Sequence, residues 1–177
     1  MATITGMETS DAIRSRRNVR TYDERPITGE SLELILEAGR RAPSASNRQP
    51  WDFVVVTDRQ KLEQMSNMWR NARHVAGSAA TIVLVLPEPE DDRYRLMDQY
   101  DLGQATMAMT LAAADLGIGS AHAAVGDQEA CRVLFAIPES HYCPYLLALG
   151  YPGDGPLAPI ERPDRRALDE IVHLGRW

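Results

Sequence analysis

Ala42-Pro-Ser-Ala-Ser-Asn-Arg-Gln-Pro-Trp51 and the run behind it, Phe53-Val-Val-Val-Thr57, join the end of a helix to the start of a buried strand. Upstream, Leu32, Ile35, Leu36 and Gly39 recur at helical spacing after Thr28-Gly-Glu-Ser31. Thr28 is a candidate N-cap there, and Glu30 and Glu33 favour the positive end of the helix dipole. The helix stops before Pro43, because the residue preceding a proline disfavours the α region. Between helix and strand, two prolines bracket Ser44, Ser46, Asn47, Arg48 and Gln49. A rigid loop of amides and hydroxyls suits hydrogen bonding to a flat heteroaromatic ring with alternating donors and acceptors. An ordinary polar surface loop has the same composition.

Working outward, a first helix is expected over about residues 8–17 and a third over about 58–68. Ala80-Thr-Ile-Val-Leu-Val-Leu86 reads as a strand closed by Pro87, and Pro89 with Glu90-Asp91-Asp92 as a surface loop. The longest helix follows, about 94–116, and its Ala105, Met107, Ala108, Met109, Leu111, Ala112, Ala113 and Ala114 leave few polar positions on any face. That pattern predicts a helix buried all round, in a large core or at a subunit interface, and the small residues favour the interface. Residues 118–125 read as a strand or extended segment, Asp127 as the cap of a helix holding Ala130, Val133 and Leu134, and Pro144–Leu149 as the last strand. After it, Leu168, Ile171, Val172 and Leu174 give the tail an apolar patch suited to docking on a neighbouring subunit. The mixed order is α+β or α/β by pattern alone.

Composition bounds the function. The 177 residues fit a single domain, 44% hydrophobic and 25% charged, able to bury a core without disulfide or metal. A formal charge of -6 argues against nucleic acid as the main partner. No apolar run approaches the roughly 20 residues that span a bilayer, so no membrane role is expected. Met1–Met7 shows no secretory signal, and Cys131 and Cys143, in no metal spacing, read as free thiols of a cytoplasmic protein. His74, His122, His141 and His173 are scattered, and no metal site is expected. Gly117-Ile-Gly119 lacks the third glycine of a dinucleotide fingerprint, and neither a P-loop nor a GxSxG elbow is present.

One local cluster runs against the acidic whole: Arg14, Arg16, Arg17 and Arg20 fall within Ala12-Ile-Arg-Ser-Arg-Arg-Asn-Val-Arg-Thr-Tyr22. Guanidiniums so close repel one another unless an anion sits among them, and their planar forks suit phosphate. A solvated basic helix end is the alternative. With the polar loop, the cluster makes the second half of a mononucleotide site.

Six segments in order carry a resemblance: Ile13–Tyr22, Ala42–Trp51 with its valine strand, Asp101-Leu-Gly-Gln104, Leu116-Gly-Ile-Gly-Ser120, Leu149-Gly-Tyr-Pro152 and Arg165–His173. Together they resemble the nitroreductase family of FMN-dependent oxidoreductases, among its shorter members. The resemblance implies an α+β fold with a central mixed or antiparallel sheet flanked by helices. It also implies an intertwined homodimer whose tail, about 153–177, embraces the partner, with FMN at the interface. Carried over by position, Arg16, Arg17, Asn18 and Arg20 would hold the phosphate, ribityl chain and pyrimidine edge, and Arg165 (or Arg166, one register on) would reach the phosphate. Pro43, Ser44 and Asn47 would come from the other protomer, Asn71 would lie near the flavin, and Ala124 would offer a backbone N–H to N5. The implied activity is ping-pong transfer from NADH or NADPH through FMN to an electron-poor small molecule, a nitroaromatic or quinone, with no side chain required as catalytic acid or base. A flavin-binding module without turnover, a sensor or carrier, is the alternative.

Overall fold

The computed structural model describes residues 6–177; residues 1–5, part of the stretch read above for a secretory signal, lie outside the described residues. Helix α1 (Thr9–Ser15) is followed by α2 (Gly29–Arg40), β1 (Asp52–Val56), α3 (Arg59–Ser66), β2 (Ala80–Pro87), α4 (Asp92–Asp115), β3 (Gly119–Ala124), α5 (Gln128–Phe135) and β4 (His141–Gly150). Four helices start on side-chain caps. Thr28, Asp58, Asp91 and Asp127 accept from the backbone N–H of Ser31, Lys61, Tyr94 and Ala130, satisfying donors the first turn leaves orphaned.

The strands form one antiparallel sheet in the order β1-β2-β4-β3. Side-chain alternation divides the core into two layers. Ile82, Leu84 and Leu86 of β2, with Leu147 and Leu149 of β4, pack with Ile35 of α2 and Leu102, Ala105, Met109 and Ala113 of α4. Val83, Val85, Leu146 and Ala148 point the other way, against Leu62 and Met65 of α3, Val75, and Cys131 of α5. Helices α2 and α4 approach so closely at Gly39 that an added Cβ would lie 2.8 Å from Met109 Cγ.

One expectation needs correction. The first helix ends at Ser15, not Arg17: Arg16 is extended (φ -61, ψ 121), because the chain leaves the helix to run beside the sheet. Asn18 bridges Ser120 of β3 in parallel and Tyr22 bridges Pro152. Of the two burials read for helix α4, this chain alone does not show the one inside a large core, and the favoured one, at a subunit interface, needs an exposed apolar side of the type α4 has. Its inner face is buried, but Leu96 (69% exposed), Tyr100 (72%) and Met107 (43%) form an apolar outer strip. The sequence shows no polar face because the outward stripe is itself apolar.

The fit of residues 16–20 onto the sheet depends on Gly119, where an added Cβ would lie 2.5 Å from Val19 Cγ2. Gly119→Ala is therefore expected to cost about 1–3 kcal/mol through overpacking. Thermal unfolding should show the midpoint falling by several degrees, at roughly 2–4 °C per kcal/mol for this size. An unchanged midpoint would contradict this contact.

Candidate cofactor site

The extended segment after α1 presents side chains in alternating directions. Val19 is buried, with its N–H donating to the Ser120 carbonyl at 3.0 Å, while Asn18 and Arg20 are exposed and Arg16 is half-buried. Arg16, His122 and Tyr145 line a cavity of about 490 Å³ with Gly103, Thr106 and Met107 of α4. Arg20, farther along the same segment, is close enough to act on both His74 and Tyr22. Ser15 Oγ, Tyr22 Oη and His74 Nε2 are buried without hydrogen-bond partners. Buried orphans of this type call for a partner, which a bound polar ligand can supply.

The titratable groups follow the same geometry. Burial pushes the His74 imidazole below its ordinary value and Arg20 adds to this, while the backbone of Ala121 and Asn71 pulls the other way. His122 is lowered too, by burial and then by Arg16. Burial pushes the Tyr22 phenol up, opposed by Arg20. Neutral histidines beside free guanidiniums leave the region's positive charge with the arginines.

Not every guanidinium is free. Arg17 forks onto Asp154, Nη2 to Oδ1 at 2.7 Å and Nη1 to Oδ2 at 3.2 Å, tying the segment to the start of the tail. Arg14 pairs with Asp11 at 3.6 Å. Arg165, far along the exposed tail, donates to the Asp164 carbonyl at 2.6 Å, and Arg166 pairs with Glu170. Asn71 is exposed just before His74, and Ala124 ends β3 with its side chain in solvent. Two residues on, Gly126 leaves no room for a side chain because the Trp69 ring lies against it.

Pro43, Ser44 and Asn47 fall on a separate structure. The loop carries left-handed backbone at Ser46 (φ 51), Asn47 (φ 57) and Gln49 (φ 52), none of them glycine. Such conformations cost of order 1–3 kcal/mol each and persist where the surroundings impose them. Helix α4 contacts the loop at two neighbouring residues: Asp101 Oδ2 accepts from the Ala45 N–H at 2.9 Å, and Asp98 Oδ1 lies 3.0 Å from Arg48 Nη1. At about 100° per residue, Asp98 and Asp101 are on the inner side of α4, whereas Gly103 and Met107, which line the Arg16 cavity, are on its outer side. Within one chain, then, the arginine segment and the loop are not brought together. A larger groove of about 800 Å³ between α2 and β1 is lined by Glu30, Glu33, Glu37 and Asp52 against a single guanidinium, Arg40, a poor setting for phosphate.

Several of these residues escaped the sequence reading. His74 and His122 had no pairing in sequence; their place beside Arg20 and Arg16 arises only when residues 16–20 dock on β3. Asp101 stood in a quoted motif without a role, and Asp98 three residues earlier gave the helical spacing that could have paired them. Arg48, read as one polar residue of the loop, faces Asp98.

A nitroreductase-family model matches residues 13–83 and 60–151, most of the described fold. The chain belongs to the nitroreductase family. It is 37% identical over 170 residues, 93% of this chain and 96% of the other, to an Archaeoglobus fulgidus protein provisionally named NADH dehydrogenase/NAD(P)H nitroreductase. It is 27% identical to the NADPH-flavin oxidoreductase of Vibrio harveyi, over 96% of this chain and 74% of that one. The crystal structure of nitroreductase A from Vibrio parahaemolyticus superposes with a TM-score of 0.82 at 26% identity, covering 97% of this chain and 77% of that one. The fold expected of a nitroreductase is thus the fold observed. Among the described residues, no helix is long and apolar enough to cross a membrane.

The lowered pKa of His74 makes a signed prediction. Unfolded, the imidazole titrates near 6.5. As pH falls through that value the unfolded chain takes up the proton first, so folding loses stability toward pH 5. His74→Gln should flatten the fall in unfolding free energy between pH 7 and 5, measured by denaturant titration. An identical slope in the variant would remove His74 from the balance.

Proposed function

We propose that this member of the family is an FMN-dependent NAD(P)H oxidoreductase working as a cytoplasmic homodimer, with FMN held between the Arg16–Arg20 segment of one copy and the Pro43–Gln49 loop of the other. The chain is an NAD(P)H-dependent oxidoreductase, and a flavoprotein of its family. The observation that carries the finer reading is the docked segment itself. It sets Arg16 and Arg20, neither held by a carboxylate in a salt bridge among the described residues, beside three buried polar atoms that lack partners. That donor set fits a phosphorylated, hydrogen-bonding heterocycle.

Bound FMN would supply the redox chemistry, accepting hydride at N5 from NADH or NADPH and passing reducing equivalents to an electron-poor acceptor, a nitroaromatic or quinone, in ping-pong fashion at one site. The chain's own residues bind and orient. Arg16 meets the phosphate, joined by Arg165 from a tail. Asn18 and Arg20 take the ribityl chain and pyrimidine edge, where a fixed guanidinium stabilises developing negative charge by a few kcal/mol. Asn71 and the Ala124 N–H border the ring, and Pro43, Ser44 and Asn47 cover it from the partner. Arg17, engaged by Asp154, contributes by holding the segment in place.

Four features support the homodimer. The two halves of the site lie on different sides of α4. Strand β1 pairs on one side only, with β2, leaving an edge of the type proteins cover. The α4 strip is apolar and exposed. Leu168, Leu174 and Trp177 (73, 91 and 99% exposed) are carried by a tail that nothing among the described residues of the chain buries. Buried, unpaired Cys131 and Cys143 suit a reducing compartment.

The purified protein should be yellow and bleach on anaerobic addition of NADH or NADPH. Yellow protein that does not bleach would favour a sensor or carrier; colourless protein that ignores added FMN would end the proposal. Arg20→Ala should weaken FMN binding about ten- to a hundredfold, the loss of a charged hydrogen bond, and lower the flavin's reduction potential. If both stay at wild-type values, Arg20 has no such role.

A further inference from the structure

The loop bearing Pro43, Ser44 and Asn47 is not held by its own sequence. Its internal bonds are short-range: Ser44 Oγ accepts from the Gln49 N–H at 2.9 Å, the Ser44 carbonyl from the Asn47 N–H at 3.0 Å, the Ala45 carbonyl from the Arg48 N–H at 3.1 Å, and the Asn47 carbonyl from Gln49 Nε2 at 3.0 Å. Against these stand three left-handed residues that carry a Cβ. Two carboxylates from α4 meet the loop at its two ends. Asp101, 2% exposed, binds the Ala45 N–H through Oδ2, and its Oδ1 is steadied by Gln104 Nε2 at 3.3 Å. Asp98, 1% exposed, faces Arg48, whose guanidinium also lies 4.7 Å over the Tyr94 ring.

Asp98 is costly where it stands. Neither of its oxygens has a hydrogen bond of good geometry, and Asp101 on the next turn adds a like charge. Buried ion pairs of this type are commonly no more stabilising than apolar residues of the same size, so their retention points to geometry more than stability. We propose that Asp98 and Asp101 are positioning residues: a two-carboxylate clamp on α4 that imposes the left-handed path of residues 44–49 and so sets the surface the loop offers to the flavin. The clamp rests on the proposed function only for that last step; the control of loop geometry stands on the contacts alone. Because α4 also borders the Arg16 cavity on its outer side, one rigid helix sets the placement of both halves of the site.

The test compares the full-length protein with Arg48→Met, Arg48→Lys, Asp98→Leu, the Asp98→Leu/Arg48→Met double variant and Asp101→Ala, by residue-resolved amide hydrogen exchange and by FMN titration. Arg48→Met leaves Asp98 buried without its cation and so lowers the stability of the whole fold; exchange at Val83 and Leu147 in the sheet measures that loss, and the effect on the loop is read as the excess over it. Arg48→Met should speed exchange at Ala45 and Gln49 about tenfold or more, the loss of a charge-assisted contact, and raise the FMN dissociation constant in parallel. Arg48→Lys should restore most of the protection. The double variant should be no worse than Arg48→Met, since the pair acts as a unit, and Asp101→Ala should expose Ala45 above all. Wild-type exchange at Ala45 and Gln49 in Arg48→Met, or Lys rescuing no better than Met, would overturn the clamp. Tenfold faster exchange with an unchanged FMN constant would overturn its link to the flavin. If the wild type takes up no FMN, the proposed function falls, and the exchange result alone decides the clamp.

Discussion

The close approach of Val19 to Gly119 is the contact on which the site depends. One methyl group more, and residues 16–20 could not lie against β3; without that docking, Arg16 and Arg20 would be ordinary charges at a frayed helix end. Burial of a single valine turns a repulsive run of arginines into an array with fixed spacing. The tail reinforces it from the other side. The Gly153 N–H donates to the Thr21 carbonyl, the Ile160 N–H to the Arg14 carbonyl, and Asp154 takes Arg17. The segment is thus stitched on both edges before any ligand arrives, which reduces the ordering that binding must accomplish.

Helix α4 has the complementary task. Its inner side closes the core with Leu102, Ala105, Met109 and Ala113 and turns two carboxylates toward the loop; its outer side is left apolar and unpartnered. A helix that only filled the core would have no use for Asp98 and Asp101 there. The lack of a polar face and the presence of buried acids are two signs of the same fact: both sides of this helix are committed.

Much of this was legible in sequence, for reasons that can be named. Caps are local, so Thr28 and Asp127 were legible as helix caps and Asp58 as a helix start, whereas Asp91 read as loop and the long helix starts two residues before its expected position. Strands β2 and β4 are apolar on both faces and read as buried. The arginine run stood out through its charge against an acidic whole, which singled out residues 14–20 without fixing what they bind. What could not be read was long-range. That α1 ends early is decided by Ser120, a hundred residues away. That Arg17 spends its charge on Asp154, and Arg48 on Asp98, follows from folding and not from spacing. The left-handed path of Ser46, Asn47 and Gln49 is likewise invisible locally, since none of the three is a glycine and the force that bends them comes from another element.

The division of the site by α4 has a genetic consequence. In the proposed homodimer, each pocket would draw its guanidiniums from one chain and its covering loop from the other. A copy damaged only in the arginine segment and a copy damaged only in the loop are each inactive with themselves. A mixed dimer would hold one wholly defective pocket and one built entirely from undamaged parts, so random pairing of two dead alleles would return about a quarter of the wild-type activity.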